Sequence, residues 1–140
     1  MKYFMMPYNG IYPKVHEESF IAPTAAIIGD VTVGKGSGVW FNCVIRGDVE
    51  SITIGNNTNI QDGSIIHVGR NGGKTIIGNN VTIGHKVLLH ACHLMDECFI
   101  GMGATVMDNV VVESGAMVAA GSLVTNNKVV RKGEIWAGNP

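Results

Sequence analysis

Charge is scarce in this chain. Lys, Arg, Asp and Glu make up 15% of its 140 residues, well below the usual quarter. The formal net charge is −1, and the arginines are only Arg46, Arg70 and Arg131. No basic cluster exists to follow a phosphate backbone or an anionic lipid surface, which sets aside nucleic acid and membrane as partners. No apolar run is long enough to span a bilayer. The opening "MKYFMMPYNGIYP" is broken by Pro7, Asn9, Gly10 and Pro13. It has neither the apolar core of a signal peptide nor the Arg-rich character of a transit peptide. Cysteine is also sparse: Cys43, Cys92 and Cys98, an odd number with no CxxC. That argues against a disulfide framework and for a reducing compartment, with the cytoplasm expected. The plain reading of all three is as small buried apolar residues. A run of steps of three and four, the mark of a long helix, is missing too.

What the chain has in quantity is glycine, 19 residues, and aliphatic side chains at a fixed interval. Val33, Val39 and Ile45 are six apart. So are Ile54, Ile60 and Ile66, then Ile77, Ile83 and Leu89. After a step of five to Leu94 the run continues through Ile100, Val106, Val112, Val118, Val124 and Val130. Glycine often follows, as in Ile54-Gly55, Ile77-Gly78 and Ile83-Gly84. Six is two β periods plus a corner. Short Val/Ile strands joined by Gly and Asn corners suit a parallel β-helix, the aliphatic residue pointing inward and its neighbours outward. The expected division is an N-terminal extended segment, residues 1–19, and one β-helix domain, residues 20–140.

In its rhythm the chain resembles hexapeptide-repeat proteins. That resemblance implies three hexads per turn of a triangular prism, wound left-handed. The fold expected is therefore all-β, a single-stranded left-handed parallel β-helix. The coils then align as (33, 39, 45), (54, 60, 66), (77, 83, 89), (94, 100, 106) and (112, 118, 124). Two extra loops are expected between coils, "RGDVES" after Ile45 and "VGRNGGK" after Ile66. The residue after the third member of each coil is Arg46, His67, His90, Met107 and Thr125, so Arg46, His67 and His90 form one outward column. Stacked strands lie about 4.8 Å apart, close enough for two imidazoles to share a metal at roughly 2.0–2.1 Å each. His85 sits two residues after Ile83, near a corner of the previous face. Five residues of strand extend roughly 16 Å, so His85 is expected to miss the metal held by His67 and His90 in its own chain and to reach that of a neighbouring chain.

The segments "VIRGDVESITIGNNTNIQDGSIIHVG", "TIIGNNVTIGHKVLLHAC", "IGMGA" and "WAGNP" resemble the gamma-class carbonic anhydrase family over nearly the whole chain. The resemblance implies that His67 and His90 of one subunit, with His85 of the next, bind a divalent metal at the interfaces of a homotrimer. It implies zinc in many preparations, with iron or cobalt as alternatives. Arg46 and Asp48 match an interface pair, Asn59 and Gln61 match polar residues lining the site, and Asp62 matches a carboxylate that holds the arginine. The implied activity is reversible hydration of carbon dioxide to bicarbonate by a metal-bound hydroxide. Gln61 would orient hydroxide or bicarbonate, and Arg46 would hold a carboxylate or steer an anion.

Alternatives stand beside this. "HACH", residues 90–93, offers a rival ligand set through Cys92 and His93. The Arg46–Asp48 and Arg46–Asp62 pairs could be purely structural. His16 reads as an ordinary surface histidine. The acidic proton shuttle that the resemblance implies is absent: Val49 follows Asp48, with Glu50 next, and "VGRNGGK" holds no acid. The resemblance also implies a C-terminal helix, which is not expected within a sequence that stops at Pro140. A catalytically weak metal-binding trimeric scaffold is therefore a second reading. A hexapeptide acyltransferase using acyl-CoA is a third, disfavoured by three clustered histidines and the lack of a long excursion loop.

Overall fold

The computed structural model describes residues 3–140. Among the described residues every regular element is a strand, most of only two or three residues. All strand–strand pairings are parallel, and they build the three faces of a left-handed β-helix. On one face Ile27, Ile45, Ile66, Leu89, Val106 and Val124 stack rung on rung. On the next stand Val33, Ile54, Ile77, Leu94, Val112 and Val130. On the third stand Ile21, Val39, Ile60, Ile83, Ile100, Val118 and Trp136. The coil alignment expected from three hexads per turn holds at every coil. Phe4–Met6 and Lys14–Val15 also pair in parallel on the strand Ala26–Val33.

The core has a second inward position that the aliphatic interval does not reveal. The residue two before the large one is also buried, as with Ser37, Thr58, Ser64, Val87, Cys98 and Ala104. It is filled by small or β-branched side chains. Buried hydroxyls there need partners, and they find them between coils. Ser37 donates to Gly55 O at 2.6 Å and Thr58 to Gly78 O at 2.8 Å. Each hydroxyl oxygen then accepts the N–H of the coil above, from Thr58 at 3.0 Å and from Val81 at 3.2 Å. Cys43, Cys92 and Cys98 occupy the same kind of position, all free and buried. Burial pushes the Cys43 thiol up and those of Cys92 and Cys98 to about 12. These are packing residues, as expected.

One corner explains the recurring aliphatic–glycine pair. The Asn56 side chain accepts the Lys35 N–H at 2.9 Å, Asn79 accepts that of Asn56 at 2.7 Å, and Asp96 accepts that of Asn79 at 2.8 Å. This ladder occupies the space a Cβ would need at the glycine below. At Gly34, Gly55 and Gly78 a Cβ would meet the ladder oxygen at 2.4, 2.4 and 2.3 Å.

The two excursions differ from each other. "RGDVES" is not the loop expected from sequence. It lies within one continuous strand, Val44–Ile54. Gly29 pairs with Gly47 and Val31 with Ile52, so residues 48–51 bulge opposite Asp30 alone. Gly47 permits this because a Cβ there would stand 2.4 Å from the Asp30 carbonyl oxygen. Residues 68–74 are irregular, as expected, with Asn71 and Gly72 both at positive φ. Glu50 of the bulge accepts the Gly72 N–H at 2.9 Å, tying the two excursions together. Among the described residues no helix is long and apolar enough to cross a membrane.

Candidate metal centre

Strand alternation places the first pair of ligand candidates. In Ile65–His67 and Leu88–His90 the middle residue is buried and its neighbours face out. His67 and His90 are register partners, and their ring centroids stand 5.2 Å apart with planes tilted by 56°. Ile45 pairs with Ile66, which puts Arg46 one rung from His67. The predicted column of Arg46, His67 and His90 is therefore present. Asp48 reaches back into it from the bulge. Its Oδ1 lies 3.0 Å from His67 Nε2 and accepts the Val49 N–H at 2.7 Å, while its other oxygen pairs with the Arg46 guanidinium. The Asp48 side chain is only 12% exposed. Burial works to raise its pKa, yet the Val49 N–H, His67 and Arg46 together hold it below the ordinary carboxylate value.

The second group lies around the corner on the preceding face. Trp40, Asn59, Gln61, Asp62 and His85 line an open cleft of about 240 Å³. His85 Nδ1 stands 3.2 Å from Asp62 Oδ1. The Trp40 indole N–H donates to Asn59 Oδ1 at 2.6 Å, and the indole packs on Phe20 with centroids 5.0 Å apart. With its oxygen engaged, Asn59 has its NH₂ left as the free donor.

One chain thus splits the predicted site residues in two: Arg46, Asp48, His67 and His90 on one face, and Asn59, Gln61, Asp62 and His85 on the other. Among the described residues no three His, Cys, Asp or Glu side chains converge as a metal site within the chain. Arg46 pairs with Asp48, and Asp62 pairs with His85 rather than with Arg46. The rival set in "HACH" does not form. Cys92 is buried in the core with its thiol held protonated, and His93 is on another face, paired in register with Ile76 and Val111. His16 is exposed and accepts the Glu18 N–H at 3.0 Å.

The donors present suit a divalent metal. A metal at about 2.0–2.1 Å from a nitrogen of each ring, with a tetrahedral angle between the bonds, puts the ring centroids about 5 Å apart. The observed spacing meets this. His90 Nδ1 lies 2.7 Å from Asp108 Oδ1, so its Nε2 is free; His85 likewise keeps Nε2 clear of Asp62. His67 is the exception, with Nε2 facing Asp48. Sequence reasoning missed Asp108 and Trp40. Coil arithmetic holds a signal for the first: Leu89 pairs with Val106, which puts Met107 beside His90 and Asp108 at the next corner.

Residues 91–126 match the family described as bacterial transferase hexapeptide (six repeats). Over 133 residues the chain is 55% identical to the Arabidopsis thaliana protein "Gamma carbonic anhydrase 1, mitochondrial", covering 91% of this chain and 48% of that protein. It thus spans about half the length of the plant relative. It is 39% identical over 142 residues to "Protein YrdA" of Escherichia coli, covering 97% of this chain and 77% of that protein. The crystal structure of a hexapeptide transferase family protein from Anaplasma phagocytophilum superimposes with a TM-score of 0.95 at 50% identity, covering all of this chain and 82% of the other.

Proposed function

The chain belongs to the gamma-class carbonic anhydrase family, and from that premise we propose that it hydrates carbon dioxide reversibly at a metal site shared between neighbouring copies. The observation that carries this reading is the division of the site residues between two faces of one prism. His67 and His90 supply two imidazoles, and the third stands around the corner as His85. A ring of three copies would bring the His85 face of each against the His67–His90 face of the next. Closed rings of this kind are the ordinary outcome of a head-to-tail contact whose rotation closes. Zinc, iron and cobalt all accept three imidazole donors.

The residues divide the work. His67 and His90, with His85 of the adjoining copy, would hold the metal. When bound, such a metal leaves a position open to water and supplies hydroxide near pH 7, a value known for carbonic anhydrase zinc in general. Asp62 places a carboxylate beside His85 Nδ1. Gln61 presents a carboxamide to the cleft that can orient the nucleophile or a bicarbonate oxygen. Asn59, with its oxygen taken by Trp40, offers N–H donors to the same oxygen. Asp48 fixes Arg46 beside His67, where the guanidinium holds the interface and draws the anion. The proton released in each cycle finds no acid on residues 68–74, and Glu50 is already bonded to the Gly72 N–H. Solution buffer then takes the proton. The free, buried cysteines support residence in a reducing compartment, the cytoplasm.

Stopped-flow hydration of carbon dioxide tests this on protein loaded anaerobically with iron, cobalt or zinc. The expected result is activity that needs metal and rises with the concentration of a proton-accepting buffer. The missing acids favour one competing reading, a metal-binding trimeric scaffold. Full metal occupancy with no hydration in any loading would establish that reading instead.

A further inference from the structure

We infer that Asp108 is a positioning residue for His90, setting its ring so that Nε2 faces the metal. The inference rests on the metal reading above but concerns a residue outside the predicted site. Asp108 Oδ1 lies 2.7 Å from His90 Nδ1, the shortest of the three histidine–carboxylate contacts in the two groups. Both side chains are 35% exposed, so the contact is not forced by deep burial. A carboxylate accepts only, so Nδ1 must be the protonated nitrogen and Nε2 the one with a free lone pair. An isolated imidazole turns freely and has no such fixed choice. Asp62 also stands near His85 Nδ1, at 3.2 Å, but without the hydrogen bond that joins Asp108 to His90.

The fold holds Asp108 in place. It precedes Asn109, whose backbone is left-handed at φ 60. The Asp108 carbonyl accepts the Asn127 N–H at 3.0 Å from the coil above, and the Asn109 N–H donates to Ala91 O at 2.8 Å in the coil below. Gly69, in the excursion after His67, leaves space for the carboxylate: a Cβ there would stand 3.3 Å from Asp108 Oδ2 and 3.4 Å from the Ala91 Cβ. The backbone at this corner is tied to the coils on both sides, and a held backbone is what a positioning contact requires. Outer partners of this kind fix both tautomer and orientation of a ligating histidine.

The test compares wild type with Asp108→Leu and Asp108→Asn. Leucine removes the acceptor, and asparagine keeps a neutral one. Long-range proton–nitrogen NMR on the metal-free protein at pH 8 should show His90 with its proton on Nδ1 in wild type and Asp108→Asn. Asp108→Leu should move it to Nε2. Cobalt affinity should fall about 10- to 100-fold in Asp108→Leu and less in Asp108→Asn, with both variants melting near wild type. An unchanged His90 tautomer in Asp108→Leu, or wild-type cobalt affinity in that variant, would overturn the inference. Failure of wild type itself to bind cobalt would instead remove the metal reading, while the tautomer would still decide whether Asp108 sets the ring. A leucine variant too unstable to measure is replaced by Asp108→Ala, which also removes the acceptor and should shift the tautomer in the same direction.

Discussion

Replacing His90 with alanine is expected to cost more than the 10- to 100-fold loss of metal affinity typical of an outer-shell partner, and to lower carbon dioxide hydration to the uncatalysed background. His90 is in register with His67, its ring at the spacing two ligands of one metal require. Its Nδ1 is occupied by Asp108, which commits Nε2 to the site. With alanine there, one chain retains a single imidazole on that face, and the third ligand from a neighbour cannot restore the set. The matching control is His93→Ala. His93 is three residues away but on another face, against Ile76 and Val111, and its loss should leave affinity and rate unchanged. Cobalt titration followed by absorbance, with stopped-flow rates on the same samples, separates the two variants. Equal losses in both would mean that the "HACH" segment acts as a unit.

A large loss of stability is expected from Gly55→Ala. The new Cβ would fall 2.4 Å from Asn79 Oδ1 and 2.6 Å from the Gly78 carbonyl oxygen. The second of these is backbone and cannot rotate away. The coil must shift, and the Asn79–Asn56 bond opens with it. Overpacking of this kind costs about 1–3 kcal/mol, sometimes more, and the lost bond adds about 1 kcal/mol. For a chain of this size that corresponds to a fall in Tm of roughly 5–15 °C. Gly115→Ala separates space from conformation. Gly115 has φ +72, but a Cβ there would meet nothing within 4 Å. Its cost is the left-handed strain alone, about 1–2 kcal/mol. Thermal melts at equal protein concentration should rank Gly55→Ala well below Gly115→Ala. The reverse order would mean that the corner ladder gives way easily.

The fold was legible because a β-helix repeats one local decision. Each inward aliphatic residue fixes the next six places away, and the three hexads per turn implied by the resemblance to hexapeptide-repeat proteins then align Val33, Ile54, Ile77 and Leu94. The same alignment put Arg46, His67 and His90 in one column. It did not reveal why glycine follows the aliphatic residue, because the cause is a side chain one coil later: Gly55 is explained by Asn79. It did not reveal the bulge at residues 48–51 either. There the strand Val44–Ile54 stays paired by tolerating four residues opposite one, and interval arithmetic treats any such insertion as a loop. Asp108 was passed over because Met107, not Asp108, shares the column with His90. A carboxylate at the following corner can still reach an imidazole below it. The resemblance matched Asp62 to a partner of arginine; within the chain it faces His85. Side-chain pairing around a corner depends on rotamers, which the interval does not encode.

If two copies complete each site, mixing complementary defects restores it. His85→Ala chains keep His67 and His90, and His90→Ala chains keep His85. Each variant alone should bind no metal at the shared site. Co-expressed with two separable tags and purified through both, they should recover metal, since an interface with the right order of chains has all three histidines. For random assembly into a closed ring of three, about a quarter of the interfaces are of that kind. Doubly purified rings, which exclude the unmixed ones, should hold about one metal each. Mixed rings with no metal, or His85→Ala chains alone binding as wild type does, would contradict the account.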